Sequence, residues 1–310
     1  MMKRIRTALC LILAAALLAG CAFLPSESEP EALAPADPLT GYPLEWPGQR
    51  PVAVTIENST ASATQWGISS ASVVLEALTE AGMATELCLV YPALAATPKV
   101  GPVAAGQDIY WRLLVGQQPL PVQRGGGQFD QNYLDYYSIR AVDALEAGRT
   151  AFDCGSEWSN APLWYTSGSA VSKVLDALSI SAVLTESRVT SAASAAAASA
   201  SSGSDAVLTV PALLPQEEDG KLPDATAPDA VNVRVCFDDN NATGFAYDPD
   251  SGLYRMLHAD GTPQLDVNNG QQAGFDNLLV LFSASALRDD GRTYDFDLSM
   301  GGGVWLNGGH

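Results

Sequence analysis

The chain has 310 residues, with 16 Lys and Arg against 35 Asp and Glu, and a formal net charge of −19. A body this acidic is repelled by nucleic acid, anionic headgroups and teichoic-acid-like polymers, which argues against a polyanion binder. Its two histidines, His258 and His310, are too few for a Ser-His-Asp relay or a His-rich metal site, with His310 the last residue.

Lys3, Arg4 and Arg6 precede an apolar run over residues 8–19. The run is shorter than the ~20 residues that cross a bilayer and has the proportions of a signal-peptide core. It closes on Leu18-Ala19-Gly20-Cys21, which resembles the bacterial lipobox. That motif implies cleavage before Cys21 and a diacylglyceryl group on its thiol. One acyl chain binds a membrane reversibly, whereas two hold a protein there stably. Residues 1–20 therefore read as a lipoprotein signal peptide. Residues 21–36, rich in Pro, Glu, Ser and Ala, read as a disordered tether. Cleavage removes three positive charges and takes the formal charge from −19 to −22. The expected address is the extracytoplasmic face of the cell membrane. The outer leaflet is then a partner through the lipid, and an envelope protein or wall component is a second partner.

After the tether, "RPVAVTIEN" (residues 50–58) reads as a buried strand. "SSASVVLEALTEAG" reads as a helix, with Val73, Val74, Ala77, Leu78 and Ala81 on one face and Gly82 as the stop. "TELCLVYP" is a second strand, and "GPVAAGQDIYWRLLVG" is expected to be helical, with Ile109, Leu113 and the Trp111, Leu114, Val115 cluster inward. "QPLPVQRGGG" is a short strand running into glycines, "FDQNYLDYY" a polar-aromatic helix. In "SGSAVSKVLDALSI", Val171, Val174, Leu175 and Leu178 fall at helical spacing. Strands alternating with helices predict a layered α/β domain over residues 37–180.

Residues 181–227 begin in Ala/Ser low complexity and continue in Pro-rich loop composition, which predicts a linker or insert. From residue 228 short β-rich runs are broken by Asp, Asn, Gly and Pro, and "YDPDSGLY" is a hairpin with its turn at residues 248–252. The second domain, residues 228–310, is thus expected to be smaller and mainly antiparallel β, giving an α/β or α+β chain. Cys21, Cys88, Cys154 and Cys236 show no C-x-x-C spacing, so no zinc or redox site is expected. Neither a metal nor a cofactor is implied.

The segments "DPLTGYP", "RPVAVTIEN", "GISSASVVLEALTEAG", "KVGPV" and "VQRGGG", followed by "FAYDPDSGLYRMLHADGTPQLDVNNGQQAGFDNLLVLF", resemble in order the YerB-like lipoprotein family of unknown function. The resemblance implies two domains and a lipid anchor. It also implies departures. Where the family carries Gly-Pro-Val/Ile-Arg-Ser-Ala-Arg, this chain has Gly101-Pro102-Val103-Ala104-Ala105-Gly106-Gln107. A Thr-Arg becomes Thr85-Glu86, and a His-Ala-Gly-Gly-Ser turn becomes Gln123-Arg124-Gly125-Gly126-Gly127. An Ala-Pro-His-Asn-Leu-Tyr segment becomes Ala161-Pro162-Leu163-Trp164-Tyr165. Cations, imidazoles and a hydroxyl are lost, the usual makings of an anion or acid–base site. The chain ends at "GGGVWLNGGH", where the resemblance implies that relatives continue, so the expectation is either a truncated C-terminal domain whose sheet lacks a final strand or an incomplete sequence.

Among candidate sites, Gln123, Arg124, Gly125, Gly126 and Gly127 form a strand-to-glycine nest that offers backbone N–H groups to a ligand, with Lys99 as a neighbouring cation. A glycine run is as readily a plain turn. The carboxylate pairs Asp238-Asp239, Asp248/Asp250 and Asp289-Asp290, and the run from Asp266 to Gly270, lie in turn composition. Tyr133, Tyr136 and Tyr137 suit either core packing or a glycan cleft, and Arg255 is expected to pair with a carboxylate of its sheet. No catalytic residue is assigned. The favoured function is a non-enzymatic envelope binding or scaffold lipoprotein. The alternatives are a hydrolase or transferase acting on a phosphorylated or glycan substrate through Asp/Glu pairs, and a lipoprotein that delivers a small ligand to a transporter.

Overall fold

The computed structural model describes residues 35–58, 65–154, 163–184, 210–214 and 227–310. The signal peptide, almost all of the tether and most of the Ala/Ser-rich and Pro-rich segment lie outside these residues, as do Trp158, Ala161 and Pro162. Residues 36–310 form one compact unit.

The mostly apolar run at the start of the body becomes β1 (Val52–Glu57), in one sheet with β2 (Val73–Ala77), β3 (Glu86–Tyr91), β4 (Leu120–Gln123) and β5 (Val142–Asp143). These make a five-stranded sheet in the order β2-β3-β1-β4-β5. β3 is antiparallel to both β1 and β2, while β1, β4 and β5 run parallel. The sheet is covered on both faces, so its central strands read as continuous apolar segments rather than as an alternation. Val52, Val54 and Ile56 of β1 and Leu87, Leu89 and Tyr91 of β3 enter one core. Ala53, Cys88 and Val90 enter the other, against helices α1 (Asp108–Leu114) and α2 (Gln128–Tyr136). Single helical turns α3 (Ala144–Ala147) and α4 (Gly168–Val171) follow.

Three helical expectations need correction. "SSASVVLEALTEAG" contains β2, not a helix. Val74 packs on the first core while Val73, Leu75 and Ala77 pack on the second, so the period is two. The β-branched pair Val73-Val74 suits this pleat, and β3 supplies the hydrogen-bonding partner. In "GPVAAGQDIYWRLLVG" the helix begins only at Asp108. Residues 101–106 bond instead to other segments: Gly101 with Trp66, Val103 with Trp164, Ala104 with Thr55 and Arg124, and Gly106 with Gly125. In residues 167–180 the regular helix stops at Val171, yet Val171, Val174, Leu175 and Leu178 are all buried in the first core through successive turns.

The C-terminal part begins with the antiparallel sheet β6 (Asn232–Cys236), β7 (Ala242–Asp248), β8 (Leu253–Leu257) and β9 (Gly274–Phe275). The β7–β8 turn falls at residues 248–252, with Gly252 at φ 73° and Arg255 paired to Asp248 at 3.4 Å. A two-stranded ribbon, β10 (Asn277–Leu287) and β11 (Tyr294–Asn307), completes the chain. The two halves share a core: Met256 and Ala273 are buried with the first cluster. Asp266, wholly buried, clamps them by accepting from Gly67 N at 3.0 Å, Ser69 N at 3.0 Å and Ser69 Oγ at 2.7 Å. Cys88, Cys154 and Cys236 carry free thiols. Among the described residues no helix is long and apolar enough to cross a membrane.

Candidate functional site

In an open α/β sheet, ligands bind outside the carboxyl ends of the parallel strands. Here those ends present Glu57 of β1, Gln123 of β4 with Arg124 directly after it, and Asp143 of β5. The segment of residues 101–107 crosses above them. Arg124 N donates to Ala104 O at 2.8 Å and Gly106 N to Gly125 O at 2.8 Å.

The glycine run is closed on the chain's own carboxylates. Gly125, at φ 70°, donates its N–H to Asp143 Oδ1 at 2.9 Å, and the same oxygen caps α3 through Leu145 N at 2.8 Å. Gln123 Nε2 donates to Asp130 Oδ2 at 3.0 Å and reaches Asp143 Oδ2 at 3.4 Å. Trp111 Nε1 donates to Asp130 Oδ1 at 2.5 Å. A β-carbon at Gly126 would collide with the Asp130 carboxylate, and one at Gly106 with the Gln123 amide. These glycines therefore give room for a buried acid–amide–indole cluster. Burial lifts Asp130 to about 6, against the pull of its Trp111 and Gln123 hydrogen bonds. Gln123 Oε1 is buried without a hydrogen-bond partner in the cluster.

Beside this cluster, Glu57 and Glu86 stand opposite each other across β1 and β3. Burial raises both: Glu57 against the nearby positive charge of Arg124, Glu86 to about 7 despite hydrogen bonds from Thr79 and Gln107. Arg124 lies 5.0 Å over the Trp164 ring. One residue further on, Tyr165 and Trp66 flank Lys99, whose Nζ is 4.7 Å and 3.8 Å from their ring centroids. Lys99 thus sits against Trp66 and Tyr165, while Gln123 and Gly125 bond Asp130 and Asp143; Arg124, over Trp164, stands next to the residue that flanks Lys99. Cys21 lies outside the described residues.

An open cleft of about 390 Å³ borders the cluster, lined by Gln123, Asp143, Gln131, Asp135, Arg140 and Glu146 among others. This is within the size range of small-ligand sites. Arg140 and Glu146 pair across it at 2.9 Å, and Gln131 Nε2 donates to Asp135 Oδ1 at 3.1 Å. On the neighbouring flank of α2, Tyr136 is 81% exposed and stacks edge-on against Tyr137 at 4.9 Å. The lining combines amides and paired charges with Leu134, Ile139 and Ala141. Among the described residues no cluster of His, Cys, Asp and Glu is arranged to hold a metal.

Sequence reasoning missed Asp130, Asp143 and the Glu57/Glu86 pair. Only a correct strand register would have placed Glu57 and Glu86 face to face. Glu86 with Gln107, Ala104 with Arg124, Gly106 with Gly125, and Arg124 with Trp164 are in contact along this edge.

Two family profiles match the chain. Both are described as a protein of unknown function (DUF3048): the N-terminal domain over residues 39–181 and the C-terminal domain over residues 232–310. A Bacillus subtilis (strain 168) protein named "Putative lipoprotein YerB" is 25% identical over 270 residues, 86% of this chain and 72% of that protein. The crystal structure of YerB from Bacillus subtilis superposes with a TM-score of 0.69 at 23% identity, over 89% of this chain and 84% of that one. The fold is shared: a mixed α/β N-terminal part followed by antiparallel sheets.

Proposed function

The chain belongs to the YerB-like family of DUF3048 proteins of unknown function, and from that membership we propose a membrane-anchored envelope lipoprotein that binds a polar partner without transforming it. The lipobox-like ending at Cys21 and the name of the B. subtilis relative support the anchor and the extracytoplasmic face. The acidic body fits a tethered role, because anionic headgroups keep it off the bilayer surface except through its lipid.

One observation carries the binding reading. Where the resemblance leads one to expect cations and imidazoles, this chain brings together Glu86, Gln107, Gln123 and Trp164, and its buried acids are already committed to internal hydrogen bonds. Asp130 is held by Trp111 and Gln123, and Asp143 by Gly125 and Leu145, so neither is poised for proton transfer to a ligand. The test uses the purified mature chain. It recovers a specific envelope component from membrane extracts, loses it on Asp135→Ala with Gln131→Ala, and shows no turnover on envelope glycans or phosphate esters. Turnover on any of these substrates overturns the non-enzymatic reading.

A second reading rests on the Glu57/Glu86 pair. Two facing carboxyl groups, one raised to about 7, have the makings of a general acid and base. On that reading, turnover of an envelope glycan disappears in Glu86→Gln and in Glu57→Gln.

A further inference from the structure

Among the described residues β10 and β11 form a sheet of two strands, β11 also bonds Thr79 O through Tyr294 N at 2.9 Å, and no strand lies beside the outer edge of β10. Such edges are templates for another strand, and folded proteins usually guard them with charge, proline, bulges or cover. β11 is guarded: it carries Asp295 and Asp297, glycines at 301–303 and the irregularity opposite Ser283 and Ala284. β10 is not. Its sequence NLLVLFSASAL has no charged residue, proline or glycine over 11 residues. Leu281 is 54% exposed and Phe282 60%, on opposite faces of the strand.

The ribbon is also held in place. Arg288 binds Asp108 through two bonds of 2.9 Å and 2.7 Å, and Arg292 reaches Glu80. At the other end Asn307 bonds Asn277 at 2.7 Å, and Leu278 is buried. The middle of β10 is therefore presented rigidly, with little ordering left to be lost on association.

A two-fold axis sets each residue near its own mate, so any charged group in a self-contact meets its like. In a chain of formal charge −19, β10 is a long strand that can meet its copy without that penalty. Lipid is a poorer cover, because hydrocarbon leaves an open edge's N–H and C=O groups unsatisfied. We propose that β10 pairs antiparallel with β10 of a second copy, joining two ribbons into a four-stranded sheet. The contact is strand addition, with main-chain bonds giving affinity and Leu279, Leu281 and Phe282 sealing the faces.

The experiment uses the mature chain, residues 21–310, with Cys21→Ser, so its outcome is independent of acylation. Sedimentation equilibrium shows the mass rising from one to two chain masses with concentration. Leu281→Lys and Leu281→Glu, each folded by circular dichroism and melting, associate about tenfold more weakly alone. An equimolar mixture of the two regains the dimer, a rescue that loss of packing alone cannot give. A single chain mass at all concentrations overturns the proposal, as does full-strength association of both variants. So does flotation with neutral phosphatidylcholine vesicles by a chain that stays monomeric, which makes lipid the occupant.

Discussion

Replacing Gly126 with alanine tests whether the glycine run is a ligand nest or a space kept for Asp130. The added β-carbon would overlap the Asp130 carboxylate, which is 2% exposed and anchored by Trp111 and Gln123. Overpacking of this kind costs about 1–3 kcal/mol, and displacing a hydrogen bond to a charged group adds about 1.5–3 kcal/mol. A net loss of about 3 kcal/mol is expected, a fall of about 1 M in the urea midpoint for a slope near 3 kcal/mol/M. Gly127, the next residue, has φ −71° and nothing within 4 Å of a β-carbon. Gly127→Ala should stay within about 1 kcal/mol of the parent. Urea titration followed by tryptophan fluorescence measures both, since Trp111 reports on the cluster. Equal effects at the two positions would refute the reasoning.

Other outcomes follow from the same contacts. Glu86 is raised to about 7 by burial, so the folded state holds its proton more tightly than the unfolded chain. Its stabilising contribution is complete below the ordinary carboxylate value and is lost as pH rises through about 7. Melting should therefore fall between about pH 5 and pH 8, and Glu86→Gln should flatten that slope; an unchanged slope contradicts the assignment. Gln107→Arg should bring Glu86 back toward its ordinary value, read as a lower pH midpoint in the NMR titration of its carboxyl carbon. Asp266→Ala removes the acceptor of three donors between the two halves and should cost about 3–5 kcal/mol. A midpoint within about 1 kcal/mol of the parent counts against the clamp. Arg288→Ala should speed amide exchange in β10 and β11 while leaving β1 and β3 protected, because it frees one end of the ribbon.

The elements legible in the sequence were those whose pattern admits one geometry. β1 and β3 are short, mostly apolar runs rich in β-branched and aromatic residues, and the β7–β8 hairpin announces itself through Asp248 to Gly252. β2 was not legible because Val73, Val74, Ala77 and Leu78 satisfy a helical spacing as well as the strand they form; β3 decides, from across the sheet. The face of residues 167–180 was legible, but the end of its regular helix at Val171 was not. At the site, the sequence placed the glycines. It did not show that their carboxylate neighbours come from Asp130 on α2 and Asp143 on β5, because only the fold brings those residues back to β4. The Asp266 turn was legible as a turn, while its burial between the two halves depends on residues nearly two hundred positions away.

The anchor is tested most directly by the mass of the N-terminal peptide of the protein taken from its native membrane. The account predicts a peptide that begins at Cys21 and carries a diacylglyceryl group on its sulfur. An unmodified Cys21 within a longer peptide, from protein still recovered in the membrane fraction, contradicts it.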